Sequence, residues 1–127
     1  METGPDGELA IRTMPMPADL NGAGDVFGGY VMSQMDLAGS IMAVEVAGGR
    51  VATVAVDSMV FVAPVRVGDV LCIYNTLVRR GRTSVTIRVE AFVKRKVIGK
   101  REKVTEADFT YVHLDGEGRP KPLPPAN

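Results

Sequence analysis

The sequence predicts an α+β protein: one long helix set against an antiparallel sheet. Residues 28–46, GGYVMSQMDLAGSIMAVEV, are apolar almost throughout and long enough for about five helical turns. From Val51 onward the hydrophobic period drops to two, with β-branched residues alternating between turn signals. Short connections between such runs make neighbouring strands antiparallel.

Taken in order, residues 1–7 are polar and glycine-rich and are expected to be flexible. Glu8–Met14 (ELAIRTM) reads as a short strand, which Pro15 and Pro17 terminate. Residues 18–25 (ADLNGAGD) are turn formers, and Asp25 or a neighbour is placed to cap the next element. The helix is expected over Phe27–Ala47, closed by Gly48–Gly49. Val51–Val62 and Val70–Val78 read as strands, and RRGRTS as a hairpin connection. Ser84–Val97 alternates cleanly, with Val85, Ile87, Val89, Ala91 and Val93 on one face. Ile98–Gly99–Lys100 turns the chain into a last strand, Glu102–Leu114. Residues 119–127 (RPKPLPPAN) are too proline-rich for helix or sheet. The whole, 1–127, is one domain without repeats.

A helix apolar on every side must be covered on every side. One five-stranded sheet covers one side, so a second copy of the chain is expected on the other.

Composition narrows the function classes. Fifteen basic residues balance fifteen acidic ones and aromatics are 6%, which disfavours nucleic acid as a partner. One cysteine, Cys72, and one histidine, His113, make a zinc site or a histidine-based triad improbable, so no metal is expected. No apolar run reaches membrane-spanning length, and the first residues do not form a signal peptide, so the expected location is cytoplasmic, with no membrane partner.

Within the helix one residue stands out. Asp36 is flanked by Met32, Met35, Ala38, Gly39 and Ile41. A charge among apolar neighbours is costly unless paired or used. The Gly28–Gly29 pair opens the same helix, and amides there attract developing negative charge. An acid and a helix start together can attack a carbonyl. Apolar surroundings push carboxyl groups toward the range useful for proton transfer. With no Ser–His or Cys–His pair in the chain, a carboxylate acting as general base or nucleophile is what remains. Gly29 and Asp36 are seven residues apart, close to two turns and roughly 10 Å along the axis. Two antiparallel copies can bring both groups to one carbonyl, so the site is expected to be shared between subunits.

Blander readings stand beside these. A helix aspartate also serves as a satisfied structural acid or an interface partner. Asn21 holds its loop or shapes the site, and Asp25 is a cap before it is a base. Gln34, two residues before Asp36, faces away from it. Met32, Met35, Met42 and Met59 are core residues or line an apolar tunnel. The basic runs Arg79–Arg82 and Lys94–Lys96 are solvated faces by default. The first lies in a turn beside Thr83 and Ser84, a mixture that suits phosphate.

The blocks NGAGDVFGGYVMSQMDLAGSIMA, GRVATVAVDSMVFVAPVRVGDVL, RRGRTSVTIRVEAFV and TEADFTYVHLDGEGRPKPLP resemble hotdog-fold acyl-CoA thioesterases, specifically the YciA-like bacterial hydrolases. The likeness covers roughly Ile11–Pro124. It implies a long central helix wrapped by a curved five-stranded antiparallel sheet. It also implies sheets joined edge to edge in dimers, and dimers assembled further, often as trimers of dimers. The implied reaction takes acyl-CoA and water to a carboxylic acid and coenzyme A, which is part of substrate and product, so no cofactor is needed. The family's catalytic aspartate, in G-G-x-x-x-S-Q-M-D, falls on Asp36. Its loop pattern N-x-x-G-D-x-F-G-G falls on Asn21, Gly24, Asp25, Phe27, Gly28 and Gly29, with the Gly28–Gly29 amides as oxyanion hole. The resemblance points to Arg79, Arg82, Thr83, Ser84 and Lys94 for the nucleotide end, with Arg119 and Lys121 of the tail either folding over it or hanging free. Asp25 stands where related thioesterases carry a functional Asn, and Tyr30 where similar proteins carry Trp. The turn at Val97–Lys100 looks shorter than theirs. These departures bear on acyl-chain preference rather than on the reaction. Hotdog dehydratases pair Asp or Glu with His, which a lone His113 argues against. A non-catalytic acyl-CoA-binding module is the remaining alternative.

Overall fold

The computed structural model describes residues 4–95 and 100–126. Five strands form one antiparallel sheet: β1 (Glu8–Thr13), β2 (Val51–Asp57), β3 (Val70–Arg80), β4 (Ser84–Lys94) and β5 (Glu102–His113). Their order is β1-β3-β4-β5-β2, so the β3–β4–β5 meander is central and β1 and β2 are the edges. The one α-helix among the described residues, α1 (Gly28–Ala47), lies against one face of the sheet and touches all five strands. This is the hotdog arrangement.

Alternation along β4 does what its pattern implies. Val85, Ile87, Val89, Ala91 and Val93 are fully buried under the helix. They meet Val31, Met35, Ala38 and Ala43, the small and slender side of α1. Met42 and Met59 pack partly buried against this core, whereas Met32 is exposed. On the other sheet face Cys72, Tyr74 and Phe92 make a second, smaller cluster, with the Tyr74 and Phe92 rings edge to face.

The opposite side of α1 is unlike its buried side. Leu37 is 56% exposed and Ile41 49%, and the nearby β2 edge leaves Val54 57% exposed. The helix is thus apolar all round but covered on one side only, as one sheet per helix requires.

Several boundaries differ from expectation. β2 ends at Asp57 rather than Val62, because Ser58 takes φ 39° and turns the chain off the sheet edge. The segment beyond is tied to β5 differently: Val62 N–H donates to the Val104 carbonyl at 2.8 Å, and the Thr105 hydroxyl to the Val60 carbonyl at 2.7 Å. β4 ends at Lys94, and the expected turn at Val97–Lys100 falls, except for Lys100, outside the described residues. Of the first seven residues, expected to be flexible, 1–3 lie outside the described residues, and Asp6 N–H donates to Glu90 at 3.1 Å.

The tail is docked. Lys121 N–H donates to the His113 carbonyl at 2.8 Å and Leu123 N–H to the Arg82 carbonyl at 2.9 Å. The Leu123 side chain packs on the core, and the Arg80 guanidinium donates to the Pro124 carbonyl. Prolines forbid a ladder strand, yet the non-proline amides between them suffice to pin the segment.

Candidate active site

Asp36 sits on the flank of α1, between the buried and exposed sides, and is half-buried rather than enclosed. Its Oδ1 is held twice. The Thr53 hydroxyl donates to it at 2.7 Å and the Tyr111 hydroxyl at 3.1 Å. Thr53 and Tyr111 are register partners on β2 and β5, so one cross-strand pair reaches up to one carboxylate. The second oxygen, Oδ2, has no hydrogen-bond partner among the described residues, and no cation pairs with Asp36 there. One oxygen is fixed and the other is free to accept a proton.

The start of α1 is open. Phe27, not Asp25, is the N-cap residue, and no side chain caps the helix. The cap expected of Asp25 fails because the Phe27 amide bonds the Asp19 carbonyl at 2.9 Å, which sets the first turn two residues later. Gly28 and Gly29 N–H groups have no acceptor among the described residues. A Cβ on Gly28 would meet only the Phe61 ring at 3.5 Å, and one on Gly29 would meet nothing within 4 Å. Packing inside the protomer therefore demands neither glycine. A cavity of about 370 Å³ opens here, lined by Val26, Gly28, Val31 and residues 61–65.

Asn21 and Asp25 lie in the loop ahead of α1. Asn21 Oδ1 accepts from the amides of Ala23 at 2.9 Å and Asp25 at 3.1 Å, so that oxygen closes its own loop.

Arg79, Arg82, Thr83 and Ser84 gather at the β3–β4 turn. The Thr83 carbonyl accepts from His113 N–H and the Ser84 carbonyl from Gly81 N–H, each at 2.8 Å. Arg79 and Arg82 are exposed there. Lys94 is at the other end of β4, paired with Val70. The whole length of β4 separates it from Ser84, about 33 Å, so one protomer does not bring Lys94 to that turn.

Two residues of the site, Thr53 and Tyr111, were not singled out in the sequence. The available signal was the Ala38–Gly39 pair following Asp36. A Cβ on Gly39 would lie 2.3 Å from the Tyr111 hydroxyl oxygen, so a side chain arrives at the point where the helix is bare. Burial first, and the neighbouring Asp36 carboxylate second, push the Tyr111 phenol above its ordinary pKa, which keeps it a protonated donor.

The model of the thioesterase superfamily matches residues 23–99. The acyl-CoA thioester hydrolase YciA of Salmonella typhimurium is 54% identical over 127 residues, spanning 98% of this chain and 96% of that protein. A hexameric thioesterase from Yersinia pestis superposes with a TM-score of 0.91 at 54% identity, covering 96% of this chain and 99% of the other. A hexameric hotdog fold thioesterase of Campylobacter jejuni gives 0.87 at 38% identity, covering 93% and 91%. The chain belongs to the thioesterase superfamily.

Proposed function

We propose that the protein is an acyl-CoA thioesterase in which Asp36 activates water and the start of a partner's helix holds the oxyanion. The observation that carries this is the Asp36 carboxylate, one oxygen anchored by Thr53 and Tyr111 and the other free, with no cation to neutralise it among the described residues. Oδ2 takes a proton as the water oxygen attacks the thioester carbonyl. The tetrahedral oxyanion is stabilised by the Gly28 and Gly29 amides. Collapse breaks the carbon–sulfur bond, and the coenzyme A thiolate takes the proton back from Asp36. Direct attack by Asp36, through an anhydride that water then opens, uses the same groups. Water, a carboxylate and backbone amides suffice, so no cofactor is needed. Asn21 and Asp25 shape the loop that carries the oxyanion amides.

Distance supports sharing between subunits. The helix start and Asp36 are roughly 10 Å apart along one axis, too far for a single carbonyl. The exposed stripe of Leu37 and Ile41 beside the β2 edge supports a two-fold partner laid antiparallel there. The hexameric relatives support further assembly as a trimer of dimers. The apolar cavity at the helix start suits the acyl chain, and the basic β3–β4 turn, with Arg79, Arg82, Thr83 and Ser84, suits the nucleotide phosphates. Lys94 joins that turn only from another protomer. No helix among the described residues is long and apolar enough to cross a membrane, and the single, unpaired cysteine supports a reducing, cytoplasmic setting.

Thiol release from a panel of acyl-CoAs tests the activity. Asp36→Asn is expected to lose at least a hundredfold in kcat, and the parent rate in that variant would refute the assignment. Mixing Asp36→Asn chains with Gly28→Pro chains tests the sharing. Heterodimers are expected to recover activity at one of their two sites, and no recovery would leave the site within one subunit. Acyl-CoA bound by the parent without any thiol release would instead make the protein a binding module.

A further inference from the structure

We propose that Tyr111 is the positioning residue of Asp36: its buried hydroxyl ties the carboxylate to the helix backbone and so fixes which oxygen faces the substrate. The proposal rests on the reading of Asp36 as the group that activates water.

The hydroxyl has one proton and two acceptors on the same residue. It lies 2.9 Å from the Asp36 main-chain carbonyl and 3.1 Å from Oδ1. A donor that bridges main chain and side chain of one residue narrows that side chain to the rotamer satisfying both. Thr53 holds the same Oδ1 from the exposed side, so the pair leaves Oδ2 as the oxygen turned away from the sheet. Tyr111 is itself rigid. It is fully buried, and its ring stacks on Phe109 at 6.4 Å with 16° between the planes.

The helix is built to receive it. Only a residue without Cβ at position 39 leaves room for the hydroxyl to pass. The helix does not depend on this one tie, because Asn75 donates from Nδ2 to the Ala38 carbonyl at 2.7 Å. Removing the hydroxyl alone therefore leaves α1 seated.

Tyr111→Phe keeps the ring and deletes the tie. Its kcat is expected to fall about fivefold with KM within about twofold of the parent, since positioning acts on the chemical step rather than on binding. The fall in kcat at a held KM is the signature of positioning. A merely structural tyrosine would change the melting temperature and leave kcat alone. Gly39→Ala supplies the second variant. Its methyl displaces the hydroxyl, so its kcat penalty is expected to be larger in the parent than in the Tyr111→Phe background. If the Tyr111→Phe chain melts below assay temperature, Gly39→Ala alone decides: a lowered kcat at unchanged KM supports the tie, and parental kinetics overturn it. Parental kcat in a folded Tyr111→Phe, or strictly additive effects of the two substitutions, overturn the proposal as well. Activity retained in Asp36→Asn removes the reading of Asp36 itself. Activity lost there but unchanged in Tyr111→Phe removes only the role of Tyr111.

Discussion

The two ends of α1 are finished differently. At its C-terminal end Gly48 adopts φ 69° and donates its N–H to the Val44 carbonyl at 2.8 Å. Ala47 and Gly48 line a shallow cleft there with His113, Lys121, Pro122 and Pro124. At the N-terminal end no side chain caps the first turn, two glycine amides are unsatisfied among the described residues and an apolar cavity opens. An absent N-cap forgoes about 1 kcal/mol. The C-terminal end is closed by a left-handed glycine, and the N-terminal end, in the function proposed above, is left for the substrate to complete.

Each end can be altered separately. The largest effect is expected from Gly28→Pro. Proline is favoured at the first helical position, and Phe27 already has φ −55° and ψ 135°, which a following proline accepts. The substitution deletes one of the proposed oxyanion donors without unseating the helix, so kcat should drop about a hundredfold, about 2.7 kcal/mol. A folded variant with parental kcat takes Gly28 out of the oxyanion hole. Phe27→Ser closes the open end from within. It is expected to raise the melting temperature by a few degrees while lowering kcat several-fold, as the hydroxyl occupies first-turn amides. Calorimetry and thiol-release kinetics on one sample read both, and a rise in both would contradict the trade between them. The smallest effect is at the closed end. Gly48→Ala forces a Cβ into left-handed backbone and should cost about 1 kcal/mol of stability, with kcat and KM unchanged.

Local pattern made the helix span and the inward face of β4 legible, because each depends on residues close in sequence. The end of β2 was not, since Met59–Val62 continues the apolar run and only the backbone of Ser58 ends the strand. Asp36 was visible as a charge out of place. Its partners were not, because Thr53 and Tyr111 meet only when the last strand pairs with the second. The separation of Lys94 from the β3–β4 turn was implicit in the length of one strand. Asp25 failed as a cap because a distant carbonyl, that of Asp19, sets where the helix begins.

The β2–β5 pairing also bears on how the chain is made. β2 is synthesised before β3 and β4, yet among the described residues the only strand it pairs with is β5, the latest of the five in the chain. Until β5 is made, Val51, Val54 and Val56 have no ladder partner, and such segments are prone to pair with the wrong neighbour. Even in the finished protomer β2 keeps one bare edge. The two-fold partner proposed above would cover that edge, and polysomes, which hold copies of one chain close together, would supply it during synthesis.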